Sequence, residues 1–241
     1  MSGLFLGLGL TIHGQGGGGA PFDPVSLFTT EQGFIHDLTN PANVFQERTG
    51  ASATTPSGNG GPIGSMKDLS PNNNWAIAPA DAARPLWRAA GYCDPDGVDD
   101  GFEFTPCNVA YICAALTMRT MPIAYETFVA VGFNVNLNIV RREAAGETWR
   151  TVGNGGDAAD FTHPSGTITV NGVTGFAFTD DVPHVVEFIA DPVAKSLGAM
   201  FLTAAIDRFG KIQMYRCFAR ETVPTASERE SLRAWCGEAI P

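Results

Sequence analysis

Positive charge is scarce in this sequence: 15 Lys and Arg stand against 25 Asp and Glu, a formal net charge of −10. A nucleic-acid binder needs a basic face to neutralise phosphates, so that class of partner is not expected. Long apolar runs are also missing. The longest near the start, Leu4 to Ile12, is broken by Gly7 and Gly9 and is too short to cross a bilayer, so no membrane insertion is expected. The same run lacks a basic stretch before it and a clean small-residue cleavage site after it. It reads as the leading arm of a protein made in a cytoplasm, not as a secretory signal. Paired cysteines are missing too. The five (Cys93, Cys107, Cys113, Cys217 and Cys236) are odd in number, contain no Cys-x-x-Cys and have no histidine at metal-ligand spacing. Buried free thiols are expected, as suits a reducing compartment.

What is present is glycine, proline and β-forming sequence. The 241 residues hold 28 Gly, 16 Pro and 44% hydrophobic residues, enough for a sizeable core in a loop-rich all-β chain. Three regions separate by composition. Residues 1–24 are an apolar arm and a hinge of four glycines, Gly16 to Gly19. The arm residues Leu4, Phe5, Leu6, Leu8, Leu10 and Ile12 need a covering surface. That surface is either a neighbouring subunit or the body of the same chain. Residues 25–91 are polar and turn-rich, with clusters at Ser57 to Pro62 and Ser70 to Asn74. This segment is expected to wrap the main domain irregularly and to add one or two edge strands.

Residues 92–241 read as successive strands, at 102–105, 109–120, 126–133, 135–142, 167–170, 184–191, 198–205 and 211–219. Asn171-Gly172 between two β-rich runs predicts a type I′ hairpin. One helix is predicted near the end. Thr225 and Glu228 have capping-box spacing, Leu232 and Trp235 face inward, and Gly237 is expected to stop it. Many closely spaced strands without intervening helices predict an antiparallel β-sandwich or jelly roll with a short C-terminal helix and an extended N-terminal arm.

Two stretches carry a family resemblance. His36 to Glu47 is followed by Thr54-Thr55-Pro56, Pro62 to Asp68, Ser70 to Trp75 and Ala82-Ala83-Arg84-Pro85. This resembles a segment of phage and prophage virion proteins in which D-x-S-x-x-x-x-L-F-Q-D leads to T-T-P, P-V-G-x-x-x-D, an S-G-x-G-N-H-A turn and A-A-x-R-P. Order and spacing hold from His36 to Pro85, but Pro71, Asn72, Asn73 and Asn74 replace the Gly-Asn-His turn. Asp96-Gly97-Val98-Asp99-Asp100-Gly101-Phe102 is similar to the F-D-G-V-D-D run of concanavalin-like and laminin-G-like (LamG) domains. The closing strand Lys211 to Phe218 and the helix Thr225 to Trp235 agree with such a domain. The resemblance implies a LamG-like jelly roll over 92–241 in a virion protein.

Candidate chemistry is sparse. Asp96, Asp99 and Asp100 supply enough oxygens for a Ca²⁺ ion, and serve equally well as caps of a turn; otherwise no cofactor is expected. A retaining glycosidase needs two carboxylates about 5–5.5 Å apart. The Glu-x-Asp-x-x-Glu pattern usual in sandwich hydrolases is absent, and Glu143 and Glu147 flank a hairpin tip. His13, His36, His163 and His184 accompany no nucleophile elbow. A non-enzymatic protein is therefore expected. For sugar binding, Trp75, Trp87 and Trp149 lie near polar loops, and Asn72, Asn73 and Asn74 beside Trp75 form the best local candidate. A tryptophan pinning its own loop accounts for the same pattern.

These readings predict a structural subunit of a bacteriophage-like particle, such as a tail-fibre or baseplate appendage. Its partners would be other virion proteins, reached through the arm, and copies of itself, a trimer being one such symmetric assembly. The alternatives are a host-surface glycan-binding adhesin and a capsid-decorating protein.

Overall fold

The computed structural model describes residues 21–49, 54–119, 125–130, 138–143, 148–150, 167–175, 178–189, 195–201 and 211–241. The six arm residues from Leu4 to Ile12 lie outside the described residues. In chain order the strands begin with β1 (Gly33–Asp37), β2 (Val44–Phe45), β3 (Gly61–Pro62), β4 (Ser65–Met66), β5 (Ala76–Ile77) and β6 (Leu86–Arg88). Next come β7 (Tyr92–Asp94), β8 (Phe102–Val109), β9 (Tyr111–Met118), β10 (Tyr125–Ala130), β11 (Asn138–Glu143) and β12 (Thr148–Arg150). The last are β13 (Thr167–Val170), β14 (Val173–Thr174), β15 (Pro183–Ile189), β16 (Lys195–Met200) and β17 (Ile212–Arg220), followed by helix α1 (Ala226–Gly237).

The strands form two antiparallel sheets, and the chain is an all-β sandwich with a C-terminal helix. One sheet runs β14-β13-β15-β9-β17-β7-β6-β3, with β1 also paired to β17. The other runs β12-β11-β10-β16-β8-β5-β4-β2. The main core includes Ile112, Leu116, Val186, Phe188 and Met214 from the first sheet and Phe102, Phe128, Leu197 and Met200 from the second. Burying side chains of this size contributes about 1.5–3 kcal/mol each.

The segment 25–91 departs from the expected irregular wrap. It carries six short strands, β1 to β6, divided between the two sheets. Five of them are two or three residues long, too short for alternation to register in sequence. β1 lies along Arg216 to Arg220 of β17, while β7 meets the same strand at Met214. Gly33 makes this approach possible. Its φ is +143°, and a Cβ there would lie 2.0 Å from the Ala219 carbonyl oxygen.

Strand β9 is buried along its whole length, because both of its faces are covered. Ile112, Ala114, Leu116 and Met118 face the main core, while Tyr111, Cys113 and Ala115 face a second cluster with Phe218, Leu232 and Trp235. Helix α1 covers that second cluster. Its capping box forms as predicted: the Thr225 N–H donates to Glu228 Oε2 at 2.7 Å, and the Glu228 N–H donates back to Thr225 Oγ1. Gly237, expected as the stop, is instead the last helical residue, and Glu238 caps the helix with right-handed φ −62°. The Asn171-Gly172 hairpin is present, with φ values of 51° and 80° and Val170 paired to Val173. All five cysteines are free and buried.

His36 on β1 gives the fold an acid-sensitive point. The ring stacks on Phe34 at 5.0 Å, and Nδ1 is 3.2 Å from the Lys67 carbonyl oxygen, so Nδ1 carries the proton in the neutral ring. Nε2 is buried and has no hydrogen-bond partner among the described residues. Burial holds the His36 pKa below its ordinary 6.5, against the opposing pull of the Asp68 carboxylate and the Lys67 carbonyl. Below pH 6.5 the unfolded chain takes a proton here that the folded chain refuses. Stability therefore falls as pH falls, by up to ~1.4 kcal/mol per pH unit until the folded pKa is reached. Urea midpoints between pH 7.5 and 5.5 should show this loss in the wild type and a flatter course in His36→Gln; parallel curves would refute the assignment.

Candidate functional site

The Asn72–Trp75 turn is held in place from below by one buried carboxylate. Asp68 Oδ1 accepts the N–H of Ile35 and of Ser70, each at 2.8 Å. Its Oδ2 accepts the Asn74 N–H and the Ser70 hydroxyl, each at 2.7 Å. Four donors converge on a side chain that is almost wholly buried. The turn is thereby fixed between β1 and β8.

The three asparagines mostly serve the turn itself. Asn72 donates to the Glu31 and Gly33 carbonyls, and Asn74 donates to the Thr105 carbonyl at 2.9 Å. Asn73, at φ +53°, accepts the Trp75 indole N–H at 2.8 Å. Trp75 is half-buried and stacks on Phe45, with ring centroids 5.5 Å apart and planes 21° apart.

Two hollows flank the turn. The larger, about 460 Å³, is lined by Arg48, Trp75, Ile77, Glu103 and Thr105 among others. The smaller, about 210 Å³, is lined by Gln32, Gly33, Asn72, Asn73 and Asn74, and shares Thr105 and Pro106 with the larger. The larger is a groove on the outer face of the second sheet. Its floor follows from the alternation of β8, where Phe102 and Phe104 are buried while Glu103 and Thr105 face outward. Arg48 is anchored there, with Nε donating to the Ala78 carbonyl at 2.6 Å and Nη2 to the Pro79 carbonyl. Neither Arg48 nor Glu103 belongs to a sequence motif. Outward alternation on β8 was the available signal for Glu103, whereas Arg48 arrives from a loop with no pattern.

The other sequence candidates fall elsewhere. Trp87 is a core residue, its indole N–H donating to the Leu38 carbonyl at 3.3 Å, and not an exposed sugar platform. His184 bridges Asn171 and Thr179 across a turn. Glu147 and His163 lie outside the described residues.

Asp96, Asp99 and Asp100 do come together, with one carboxylate oxygen from each within 4.8 Å of the others. That spacing suits a single Ca²⁺. Much of their capacity is already used: Asp96 Oδ1 accepts the Val98 N–H at 2.7 Å, and Asp100 Oδ2 accepts the Asp96 N–H at 2.8 Å. Burial, reinforced by the neighbouring aspartates, pushes Asp100 up to about 6.

Beneath α1, Glu187 gathers four donors on a fully buried carboxylate: Tyr111 at 2.7 Å, Thr169 at 2.6 Å, Arg229 at 3.0 Å and Arg233 at 2.9 Å. The cluster fastens the helix to the sheet.

No protein-family model matches the chain, and no curated protein does. Among solved structures the chain is similar to Trypanosoma rangeli sialidase in complex with sialic acid, at a TM-score of 0.50 and 11% identity, over 73% of this chain and 32% of that one. Trypanosoma rangeli sialidase in another structure matches at a TM-score of 0.49 and 10% identity, over 86% of this chain and 33% of that one. The chain thus spans about a third of the length of the sialidases it resembles. This finding overturns the expectation of a non-enzymatic protein, because a solved structure of similar fold is a sialidase. At such identity the likeness extends to fold alone: an all-β sandwich similar to part of a sialidase chain.

Proposed function

We propose that the chain is a glycan-binding sandwich module whose sugar contact is the Trp75 groove, displayed as a subunit of a bacteriophage-like particle. The observation that carries the binding reading is Trp75 itself. One face of its ring rests on Phe45, and the ring lines a groove beside outward-facing Glu103 and Thr105. A fixed aromatic wall with a few polar groups is the usual make-up of a small-molecule site. Likeness in fold to a sialidase solved with sialic acid supports a carbohydrate ligand. The particle reading is supported by the resemblance of His36 to Pro85 to virion sequences, and the same segment contains Asp68 and the turn that carries Trp75.

A glycan array followed by calorimetry on the best ligand tests the binding reading. Trp75→Ala should weaken binding at least about tenfold, or 1.4 kcal/mol. Its thermal midpoint should stay close to that of the wild type, because the ring is half-exposed. Unchanged affinity would remove the groove from consideration, and free sugar released during the assay would assign turnover as well as binding. Gold-labelled antibody on purified particles tests the display reading; unlabelled particles would overturn it.

A further inference from the structure

Two thiols meet beneath helix α1. Cys113 lies on β9, with its side chain in the cluster that α1 covers, and Cys236 lies in the last turn of the helix. Both are fully buried, and the Cys113 thiol donates to Cys236 Sγ at 3.6 Å. Residues 123 apart in the chain are thus brought sulfur to sulfur. Strand alternation selects this pair. On β17 it is Phe218 that lies opposite Cys113, while Cys217 lies opposite Ala114 and shares its side of the sheet, the main core. Among the described residues no other two cysteines share a hydrogen bond.

The two sulfurs sit on elements of unequal rigidity. Strand β9 is hydrogen-bonded on both sides, to β15 and to β17, and is buried on both faces. Helix α1 is fastened earlier in its length, where Arg229 and Arg233 meet Glu187. Its last turn is held instead by Arg216, which lies 4.6 Å from the Trp235 ring and donates to the Trp235 carbonyl. A helix end opens locally more readily than the centre of a sheet. Cys236 is therefore the sulfur that reaches water, and Cys113 is the one that stays in place. While the helix is seated, burial pushes the Cys236 thiol well above its ordinary pKa, so it remains protonated and unreactive.

We infer that Cys113 and Cys236 form a covalent modification site, which a peroxide closes into an intramolecular disulfide that bolts α1 to the sheet. A disulfide bond is about 2.05 Å long, so the sulfurs need to approach by only about 1.5 Å. When the last turn opens, Cys236 ionises and its thiolate attacks hydrogen peroxide. The S–O bond forms, the O–O bond breaks, and the departing hydroxide takes up a proton to become water. As the helix reseats, the Cys113 sulfur attacks the Cys236 sulfenic sulfur. The S–S bond forms, the S–O bond breaks, and the hydroxyl leaves as a second water with the Cys113 proton. The two thiols lose two electrons and the peroxide gains them. In a reducing compartment the pair stays as the hydrogen-bonded dithiol. The site lies under α1 on the first sheet, so it does not depend on the Trp75 groove of the second.

Treatment of the reduced full chain with hydrogen peroxide, then alkylation in denaturant and peptide mapping by mass spectrometry, tests the inference on the wild type. The expected product is one cross-linked pair of peptides carrying Cys113 and Cys236, two hydrogens lighter than the reduced peptides together. Cys93, Cys107 and Cys217 should still be alkylated, and dithiothreitol should reverse the link. The thermal midpoint of the linked chain should rise by about 5 °C or more, because the bond joins residues 123 apart. Cys236→Ala should show neither the link nor the rise, whereas Cys107→Ala should show both. Recovery of both thiols unoxidised, oxidation of Cys236 without a bond to Cys113, or a link through another cysteine or between chains would each overturn the inference. A Cys113–Cys236 bond that fails to raise the midpoint would overturn it as well, since α1 would then have left its seat to form it.

Discussion

Glu187→Gln should destabilise the protein by about 3 kcal/mol, seen as a lower urea midpoint with an unchanged slope. Glu187 is fully buried on β15 and is the acceptor for Tyr111, Thr169, Arg229 and Arg233. Glutamine keeps the volume but replaces one acceptor oxygen with a donor, which must then face another donor. It also removes the negative charge that, among the described residues, pairs with Arg229 and Arg233. Breaking a buried ion pair from one side costs about 3–5 kcal/mol. The lower figure applies because the two arginine side chains are 23% and 28% exposed and regain water.

The acid behaviour of Glu187 has a definite sign. Burial pushes its pKa up, but hydrogen bonds from Arg229, Thr169, Tyr111 and Arg233 outweigh burial and hold it below 4.5. Its contribution is therefore fully present above pH 4.5 and is lost as pH falls through the lower folded value. Asp100 works the other way. With its pKa raised from 3.8 to about 6, the folded chain holds that proton more tightly, so stability declines as pH rises across this interval. A loss from Glu187→Gln of less than about 1 kcal/mol, near that of one ordinary hydrogen bond, would show that α1 is held by apolar packing alone. Leu232, Trp235 and Cys236 would then account for the docking by themselves.

The long strands and the helix were legible in the sequence because each leaves a local signature. The β-branched run Val185 to Ile189, the Asn171-Gly172 turn and the Thr225/Glu228 capping box all occur where they were expected. Register was less legible. Strand β8 continues to Val109, past the predicted end at 105 and through Pro106, because β16 pairs with it as far as Val109. The groove was half legible. Trp75 beside three asparagines has the composition of a sugar contact, yet Asn72 and Asn74 turn their side chains to backbone carbonyls of the same chain. Residue type cannot reveal which partner an amide has taken. Arg48 and Glu103 come from segments far apart in sequence, so only the folded sheet brings them into one hollow.

Asp68→Asn is expected to cost about 2–4 kcal/mol and, in protein that remains folded, to remove most of the sugar affinity. Asp68 meets four donors: the N–H groups of Ile35, Ser70 and Asn74 and the Ser70 hydroxyl. Asparagine has one acceptor oxygen, so its NH₂ must oppose either the Ile35 and Ser70 amides or the Asn74 amide and the Ser70 hydroxyl. At least one buried N–H is then left without a partner, which costs about 1–3 kcal/mol. The consequence reaches function through the chain itself: Asn74 loses its anchor, and Trp75 is the next residue. Trp75→Ala separates the two effects, because it removes the aromatic wall without touching the carboxylate. If Asp68→Asn lowers the urea midpoint while leaving sugar binding intact, Trp75 must be positioned by its other attachments. Those are the Phe45 stack, the indole hydrogen bond to Asn73 and the pairing of Ala76 with Met66. If stability and affinity fall together, the buried carboxylate under the turn sets the shape of the groove.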